Sequence, residues 1–348
     1  MPSTTFDAAT LERLISAAVA APSIHNTQPW RYRLDPDTLT LLVRAEPERG
    51  LRHTDPAGRA LLLSVGASVL NLRVAIAHFG WRPVVRLLPE PADPSLLATV
   101  RLAGAPRTGT LLRADLYDAI WRRHSSRFPF SGRPLPAPVR DELEEAALSE
   151  GALLEFPERR ERQRLLGLTA EAERRNREDA DRRDESRGWI HTPAHGGVGL
   201  APVSLGPQDA RGRLPLRDFG AHRPAAPLPS QAFERDPVLA LLSTAHDRRA
   251  DWLRAGQALQ NVLLVATAHR LRSSLLHQAL EWADLRWALA GAVTPVPGRY
   301  AQMLLRLGEG PQGPASPRLR PGEVLDFETP ESGTRPGPGT REEPPSGG

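Results

Sequence analysis

Residues 21–30 read Ala21-Pro22-Ser23-Ile24-His25-Asn26-Thr27-Gln28-Pro29-Trp30, and the fold is decided by what stands on either side of them. Upstream, Asp7 is placed to cap a helix whose apolar residues Leu11, Leu14, Ile15, Ala18 and Val19 recur at i, i+3, i+4, i+7 and i+8, and Pro22 ends it. Downstream, Arg31 to Leu34 and Thr38 to Arg44 read as strands joined by a turn at Asp35-Pro36-Asp37. A long apolar helix is expected from Asp55-Pro56 to Gly80, with Asp as cap and Pro in the first turn, followed by strands at Pro83 to Leu88 and Leu97 to Leu102. Helix, two strands, helix, two strands describes an α+β layer. The quoted stretch therefore sits at a rigid edge, where a helix hands over to a strand and hydrogen-bonding groups project. Its plainer reading is a helix stop followed by a turn.

A second module begins near Arg113. A short helix to Arg122, a polar turn, a helix from Pro138 to Ser149 stopped by Gly151 and a charged helix from Glu158 to about Asp184 come first. Residues 186–235, rich in Gly, Pro and His, are too long for an ordinary connection and read as a lid or a disordered segment. Val238 to Thr244 is a strand, Asp247 opens an amphipathic helix through Trp252, Leu259, Leu263 and Ala266, a shorter helix covers Trp282 to Leu289, and Gln302 to Leu307 is a late strand. Residues 329–348 have nothing to bury and read as a disordered tail.

Composition narrows the function. The chain has 348 residues and no cysteine, which excludes disulfides, thiolate metal sites and a cysteine nucleophile. All 45 basic residues are arginine, but 41 acids balance them to a net charge of +4, and the densest run, Glu158 to Arg187, alternates in sign as a solvated helix face does. Nucleic acid is not the expected partner. No apolar run near 20 residues is evident and the opening residues carry no basic-then-apolar pattern, so a cytoplasmic protein without a membrane span is expected. Phosphate-loop, HExxH, GxSxG and strand-following GxGxxG motifs are absent. His191 and His195 have metal-pair spacing, but Pro193 and Gly196-Gly197 argue against the helix such a pair needs. Three further stretches could carry chemistry. Arg122-Arg123-His124-Ser125-Ser126-Arg127 offers guanidinium forks and hydroxyls suited to a phosphate monoester, or a solvated basic helix end. His269 to Gln278 reads as a capped helix exit. Pro317-Arg318-Leu319-Arg320-Pro321 is a further anion contact, or a solvated basic pair.

Taken together, these residues resemble the nitroreductase family of flavin mononucleotide (FMN) enzymes over most of residues 8–326. In that family an R-x-S-x-R turn near the N-terminus grips the FMN phosphate, and a later A-P-S-x-x-N-x-Q-P-W segment reaches the flavin ring in the partner subunit's site. Here the second motif is matched by Ala21 to Trp30 and the first by Arg123, His124, Ser125 and Arg127, in reversed order. Each half keeps the motif that the other lacks. The resemblance thus implies an α+β nitroreductase-like fold of two half-modules forming an internal pseudo-dimer: residues 1–112, then 113–185 with 236–328, with 186–235 as a lid.

The resemblance further implies one FMN, with Arg123, His124, Ser125 and Arg127 at its phosphate and Arg318 and Arg320 as further contacts there. Pro22, Ser23, Ile24 and Asn26 would lie against the ring, Asn26 and nearby backbone stabilising its reduced anionic form. Leu276 and His277 stand, with Leu275 and Gln278, where the family often has P-x-E-G, which departs from the usual surroundings of the flavin N5 edge. No protein acid or nucleophile is called for. The implied activity is NAD(P)H-dependent reduction of nitro compounds or quinones, small-molecule electron acceptors, by a chain acting as a monomer. The arrangement is similar to the Acg-type, dormancy-associated proteins of actinobacteria, which leaves a second reading, an FMN-sequestering protein without turnover.

Overall fold

The first helix, α1 (Ala8–Val19), starts where Asp7 Oδ1 accepts the Thr10 N–H at 2.8 Å and buries the face bearing Leu14, Ile15 and Ala18. After it come strands β1 (Trp30–Asp35) and β2 (Thr40–Ala45), helix α2 (Arg59–His78) and strands β3 (Arg82–Leu87) and β4 (Leu96–Ala103). The computed structural model describes residues 6–104, 116–190, 196–219, 228–293 and 298–326. The proposed module junction near residue 112, the His191/His195 pair and the tail at 329–348 lie outside the described residues. α2 begins later than Asp55-Pro56 suggests: Gly58 takes the left-handed conformation that turns the chain into the helix, and Asp55 instead accepts the Leu61 N–H at 2.9 Å. α2 is also long and apolar enough to cross a membrane, contrary to the sequence reading, but nearly all of it is buried inside the protein.

The second set of elements is α3 (Tyr117–Arg122), α4 (Ala137–Leu148), β5 (Leu153–Glu155), α5 (Arg159–Glu178) and α6 (Ala180–Gly188). The single charged helix expected from Glu158 is broken at Asp179, whose backbone is extended and whose side chain caps α6 by accepting the Arg182 N–H at 3.0 Å. Two-residue strands β6 (Gln208–Asp209) and β7 (Ser230–Gln231) pair with each other. Then follow β8 (Val238–Thr244), α7 (Arg249–Ala268), β9 (Arg272–Leu275), α8 (Ala283–Ala290), β10 (Tyr300–Gly308), α9 (Pro321–Val324) and β11 (Leu325–Asp326). Asp247 does not cap α7; it accepts hydrogen bonds from Trp252 Nε1 at 2.5 Å and Arg286 Nη1 at 2.8 Å.

Two sheets result. The first has the order β11-β1-β2-β4-β3 and the second β5-β8-β10-β9. Setting β11 aside, neighbours are antiparallel throughout and the order of equivalent strands is the same. β11 pairs in parallel with β1, Tyr32 opposite Leu325, so Leu325–Asp326 completes the first sheet although residues up to 328 read as part of the second half. Arg31 ties this strand down through Asp326.

α2 and α7 form the centre. They cross at two glycines: a methyl on Gly66 would lie 2.2 Å from the Leu253 carbonyl oxygen, and one on Gly256 would lie 2.1 Å from that of Leu63. The relation is reciprocal, as at an interface between like units. The helix exits correspond as well. Trp81 N–H donates to Ile76 O at 3.1 Å past left-handed Gly80, and Leu271 N–H donates to Ala266 O at 2.9 Å past left-handed Arg270. Both helices are buried nearly all round, because each packs between a sheet and the other helix.

Candidate functional site

A cavity lies beside this helix crossing. Its wall is made by the segment after α1 (Pro22 to Asn26), the first turns of α2 (Ala60, Leu63, Ser64), the segment after α3 (Arg123 to Arg127) and the segment after β9 (Ser274 to Gln278). Ser316, Arg318 and parts of the 196–219 segment complete it. Eleven of the twelve site residues expected from sequence line it: Pro22, Ser23, Ile24, Asn26, Arg123, His124, Ser125, Arg127, Leu276, His277 and Arg318. Arg320 does not. Its side chain is 84% exposed and pairs with Glu323 at the start of α9, because the chain has already turned away towards β11.

The Arg-Ser turn is held rigidly. Ser126 N–H donates to Ser273 O at 2.8 Å, Ser126 Oγ donates to Pro311 O at 2.8 Å, and Gly313 lies so close that a methyl there would sit 1.8 Å from Ser125 O. Only glycine fits that approach. The 22–28 segment is fixed by left-handed backbone at His25, Asn26 and Gln28, by Ile24 N–H donating to Ser64 Oγ at 3.2 Å and by Gln28 N–H donating to Ser23 Oγ at 2.9 Å.

Charge is the distinctive property. Arg123 is buried and Arg127 and Arg318 are half-buried on the cavity wall, and among the described residues none forms an ion pair with a carboxylate. Burial pushes Arg123 and Arg127 down to about 10 and Arg318, with Arg123 beside it, to about 9. Arg123 Nε, Arg127 Nη1 and Arg318 Nε have no hydrogen-bond partner among the described residues. Unpaired buried cations cost several kcal/mol each, so this cavity is built for an anion. The cations fall into two groups. Arg123 and Arg318 act on each other and on His124, whose imidazole is lowered mainly by burial. Arg127 instead faces Arg217, and its guanidinium lies 4.3 Å over the Phe219 ring.

Asn26 has a different role from the one expected. Its amide donates to Gly199 O at 2.8 Å and Pro317 O at 3.0 Å, and its Oδ1 accepts from Arg318 Nη1 at 2.8 Å, so both amide hydrogens are spent within the protein. Asn26 positions Arg318 and the 196–219 segment. Asn26→Ala is expected to lower stability by about 2–3 kcal/mol in urea unfolding, since a charge-assisted and two neutral bonds are lost and Ala tolerates φ +56° poorly.

Sequence reading missed the polar chain that ties the 196–219 segment to the cavity. Glu281, fully buried, accepts from Arg217 Nη2 at 2.5 Å and from His277 Nδ1 at 2.9 Å, and these partners hold it at about 2. Arg59 reaches His277 Nε2 at 3.0 Å, and Arg217 reaches His25 Nε2 at 2.8 Å. The available signal was Glu281 itself, a lone acid in the apolar run Ala279-Leu280-Glu281-Trp282. Gly197 O accepts from Gln28 Nε2 at 2.6 Å and Pro215 O from Gln278 Nε2 at 3.0 Å, so the segment is docked along its length.

His25 and His277 are both held below the ordinary histidine value, chiefly by burial. They are neutral when folded, whereas unfolded imidazoles take up protons near pH 6.5. The stability they confer is complete above that value and is lost as pH falls below it. A fall in thermal midpoint between about pH 7 and pH 5, at up to ~1.4 kcal/mol per imidazole per pH unit, is expected, and it should be smaller in His25→Asn.

No family model matches the chain. A provisionally named NAD(P)H nitroreductase of Mycobacterium tuberculosis is 34% identical over 328 residues, 92% of each chain. The provisionally named NAD(P)H nitroreductase acg of the same organism is 30% identical over 333 residues, 94% of this chain and 97% of its own. Among solved structures, a provisionally titled nitroreductase from Anabaena variabilis has a TM-score of 0.47 at 13% identity, covering 88% of this chain and 90% of that one. An FMN and NADPH-dependent nitroreductase, NfnB, has a TM-score of 0.39 at 18% identity, covering 61% of this chain and 98% of that one. On the strength of the mycobacterial relatives, aligned over more than nine-tenths of both chains, the protein is a member of the nitroreductase family, in the branch that includes acg.

Proposed function

We propose that the chain is an FMN-binding, nitroreductase-like oxidoreductase with one cofactor in the cavity described above. The observation that carries this reading is the set of buried guanidiniums with unpartnered donors, Arg123, Arg127 and Arg318. A phosphate monoester supplies the negative charge and acceptor oxygens that Arg123 and Arg318 lack, and the rest of an anionic cofactor faces Arg127. Arg123, Arg318, His124 and Ser125 would hold the phosphate. Pro22, Ser23 and Ile24 would lie against the ring, with Leu276 and His277 on the remaining wall; Arg127, expected at the phosphate, would instead act beside Arg217 and Phe219. The chemistry that FMN supplies when bound is carriage of a hydride from NAD(P)H to a nitro compound or quinone; the protein contributes position, charge and access.

The single site belongs to an internal pseudo-dimer. Support comes from the matching strand orders and the reciprocal contacts of Gly66 and Gly256. On that correspondence Ala60, Ser64 and Ala67 match Ala250, Arg254 and Gln257. The second set lines an open, polar hollow in which Arg73 pairs with Glu150 at 2.5 Å and donates to Gln257 Oε1 at 2.8 Å. One half thus keeps a cavity with unpartnered guanidinium donors, and the other a hollow in which Arg73 is neutralised by Glu150.

A second reading, FMN sequestration without turnover, is favoured by the docking of residues 196–219 across the cavity through Asn26, Gln28, Gln278 and Glu281. Under either reading this segment is a lid. Arg217→Ala with Phe219→Ala removes its latch. An occluded enzyme should gain NAD(P)H:menadione turnover at least about tenfold in that variant, and unchanged, negligible turnover with FMN still bound would leave sequestration as the function.

A further inference from the structure

The polar chain at the cavity contains two histidines in nearly the same setting, and only one is complete. In each, a guanidinium lies within hydrogen-bonding distance of Nε2: Arg59 for His277 at 3.0 Å and Arg217 for His25 at 2.8 Å. A guanidinium has donors and no acceptor, so both Nε2 atoms must accept and both ring protons must reside on Nδ1. His277 donates that proton to Glu281 Oε1 at 2.9 Å. His25 has no such outlet. Its residue is 6% exposed, it lines the cavity, and its Nδ1 is buried without a hydrogen-bond partner among the described residues.

We propose that His25 Nδ1–H is the hydrogen-bond donor that the protein presents to the occupant of its cavity, and that Arg217 fixes the tautomer that makes it one. The inference rests on the FMN reading above. The partner chemistry is an acceptor oxygen on a planar ring system, which both flavin and a quinone or nitro compound carry. Several features hold the imidazole in this role. Phe219 packs edge-on against it at 5.0 Å between centroids, and the backbone at residue 25 is left-handed, with φ +47°. The charged and titratable groups around it are Arg217, Glu281, His277 and Arg127, and burial keeps the ring neutral. Because Arg217 belongs to the 196–219 segment while His25 follows α1, the donor is set only when that segment is docked. Docking and recognition are thereby one event.

The test uses the full chain labelled with ¹⁵N-histidine and long-range ¹H–¹⁵N correlation. In the FMN-free protein His25 should show a protonated Nδ1 and a lone-pair-type Nε2, and Arg217→Met should abolish that single tautomer. Addition of FMN should shift the Nδ1 resonance if the acceptor is the flavin; a shift only after menadione is added to the loaded protein assigns it to the electron acceptor. A His25 protonated on Nε2, or an Nδ1 unmoved by both additions, overturns the inference. Failure to take up FMN is seen independently in the absorption spectrum and counts against the flavin reading, while the tautomer still decides the role of Arg217. Affinity gives a second check. His25→Asn keeps a donor near the Nδ1 position and suits the left-handed backbone, so its FMN Kd should stay within about twofold. His25→Gln places its amide further out and should bind about tenfold more weakly if FMN is the acceptor, or raise the menadione KM by that factor if menadione is.

Discussion

Replacing Arg123 and Arg318 together by methionine is expected to remove FMN binding while leaving the fold intact. These two guanidiniums act on each other at the cavity wall, and Nε of each has no partner among the described residues. A charge-assisted hydrogen bond is worth about 1.5–3 kcal/mol, so losing both groups should weaken FMN by ~10²–10⁴-fold. The FMN-free protein should respond differently. Methionine retains much of the packing volume, and the penalty for burying two unpaired cations disappears, which offsets the lost bonds to Ala20 O and Asn26 Oδ1. Its unfolding free energy should therefore change by less than ~1 kcal/mol. Titration of FMN by fluorescence quenching and urea unfolding of the apoprotein measure the two quantities separately. Retained affinity would mean that the cations serve the fold; a large loss of apoprotein stability would mean the same.

The second large effect concerns the helix crossing. Valine at Gly66 or Gly256 places a side chain where a single methyl would already lie about two ångströms from a backbone carbonyl oxygen of the opposite helix. Neither backbone can yield without moving its sheet, so each substitution should cost about 3 kcal/mol or more, or prevent folding. Gly167, in the middle of α5 with nothing near its missing side chain, is the matched control. Alanine there should stabilise the protein by about 0.5–1 kcal/mol through helix propensity. Equal and small effects at Gly66, Gly256 and Gly167 in chemical unfolding would remove the central role assigned to the α2–α7 contact.

Much of this arrangement is legible in the sequence where local chemistry acts alone. Asp7 caps α1, the Asp35 turn joins β1 to β2, and β8 begins and ends at Val238 and Thr244 as read, because each depends on neighbours a few residues away. Reading fails where a distant partner decides. β9 is four residues long, and its alternation is too short to detect beside the apolar exit of α7; it is a strand because β10 pairs with it. β11 is two residues made into a strand by β1. Arg320 and Arg318 have the same local pattern, yet α9 turns one outward to Glu323 while Asn26 holds the other in.

The functional side chains follow the same division. The motifs at 21–30 and 123–127 carry the cavity because they are contiguous, and they were readable. Asn26, by contrast, has its amide occupied by Gly199 and Pro317, residues far away in the chain, which spacing could not disclose. The Arg59–His277–Glu281–Arg217–His25 chain draws on four separate segments, and among these only Glu281 in its apolar surroundings gave a local sign.

The claim on which the rest depends is that the chain holds a single flavin cavity, the corresponding hollow lined by Arg73, Glu150, Arg254 and Gln257 having its Arg73 neutralised by Glu150. Its most direct test is the amount of FMN released by denaturing a purified, fully loaded sample of known protein concentration. One FMN per chain is the expected result. Two per chain would contradict the single site, and a protein that neither carries nor takes up FMN would contradict the cavity's assignment altogether.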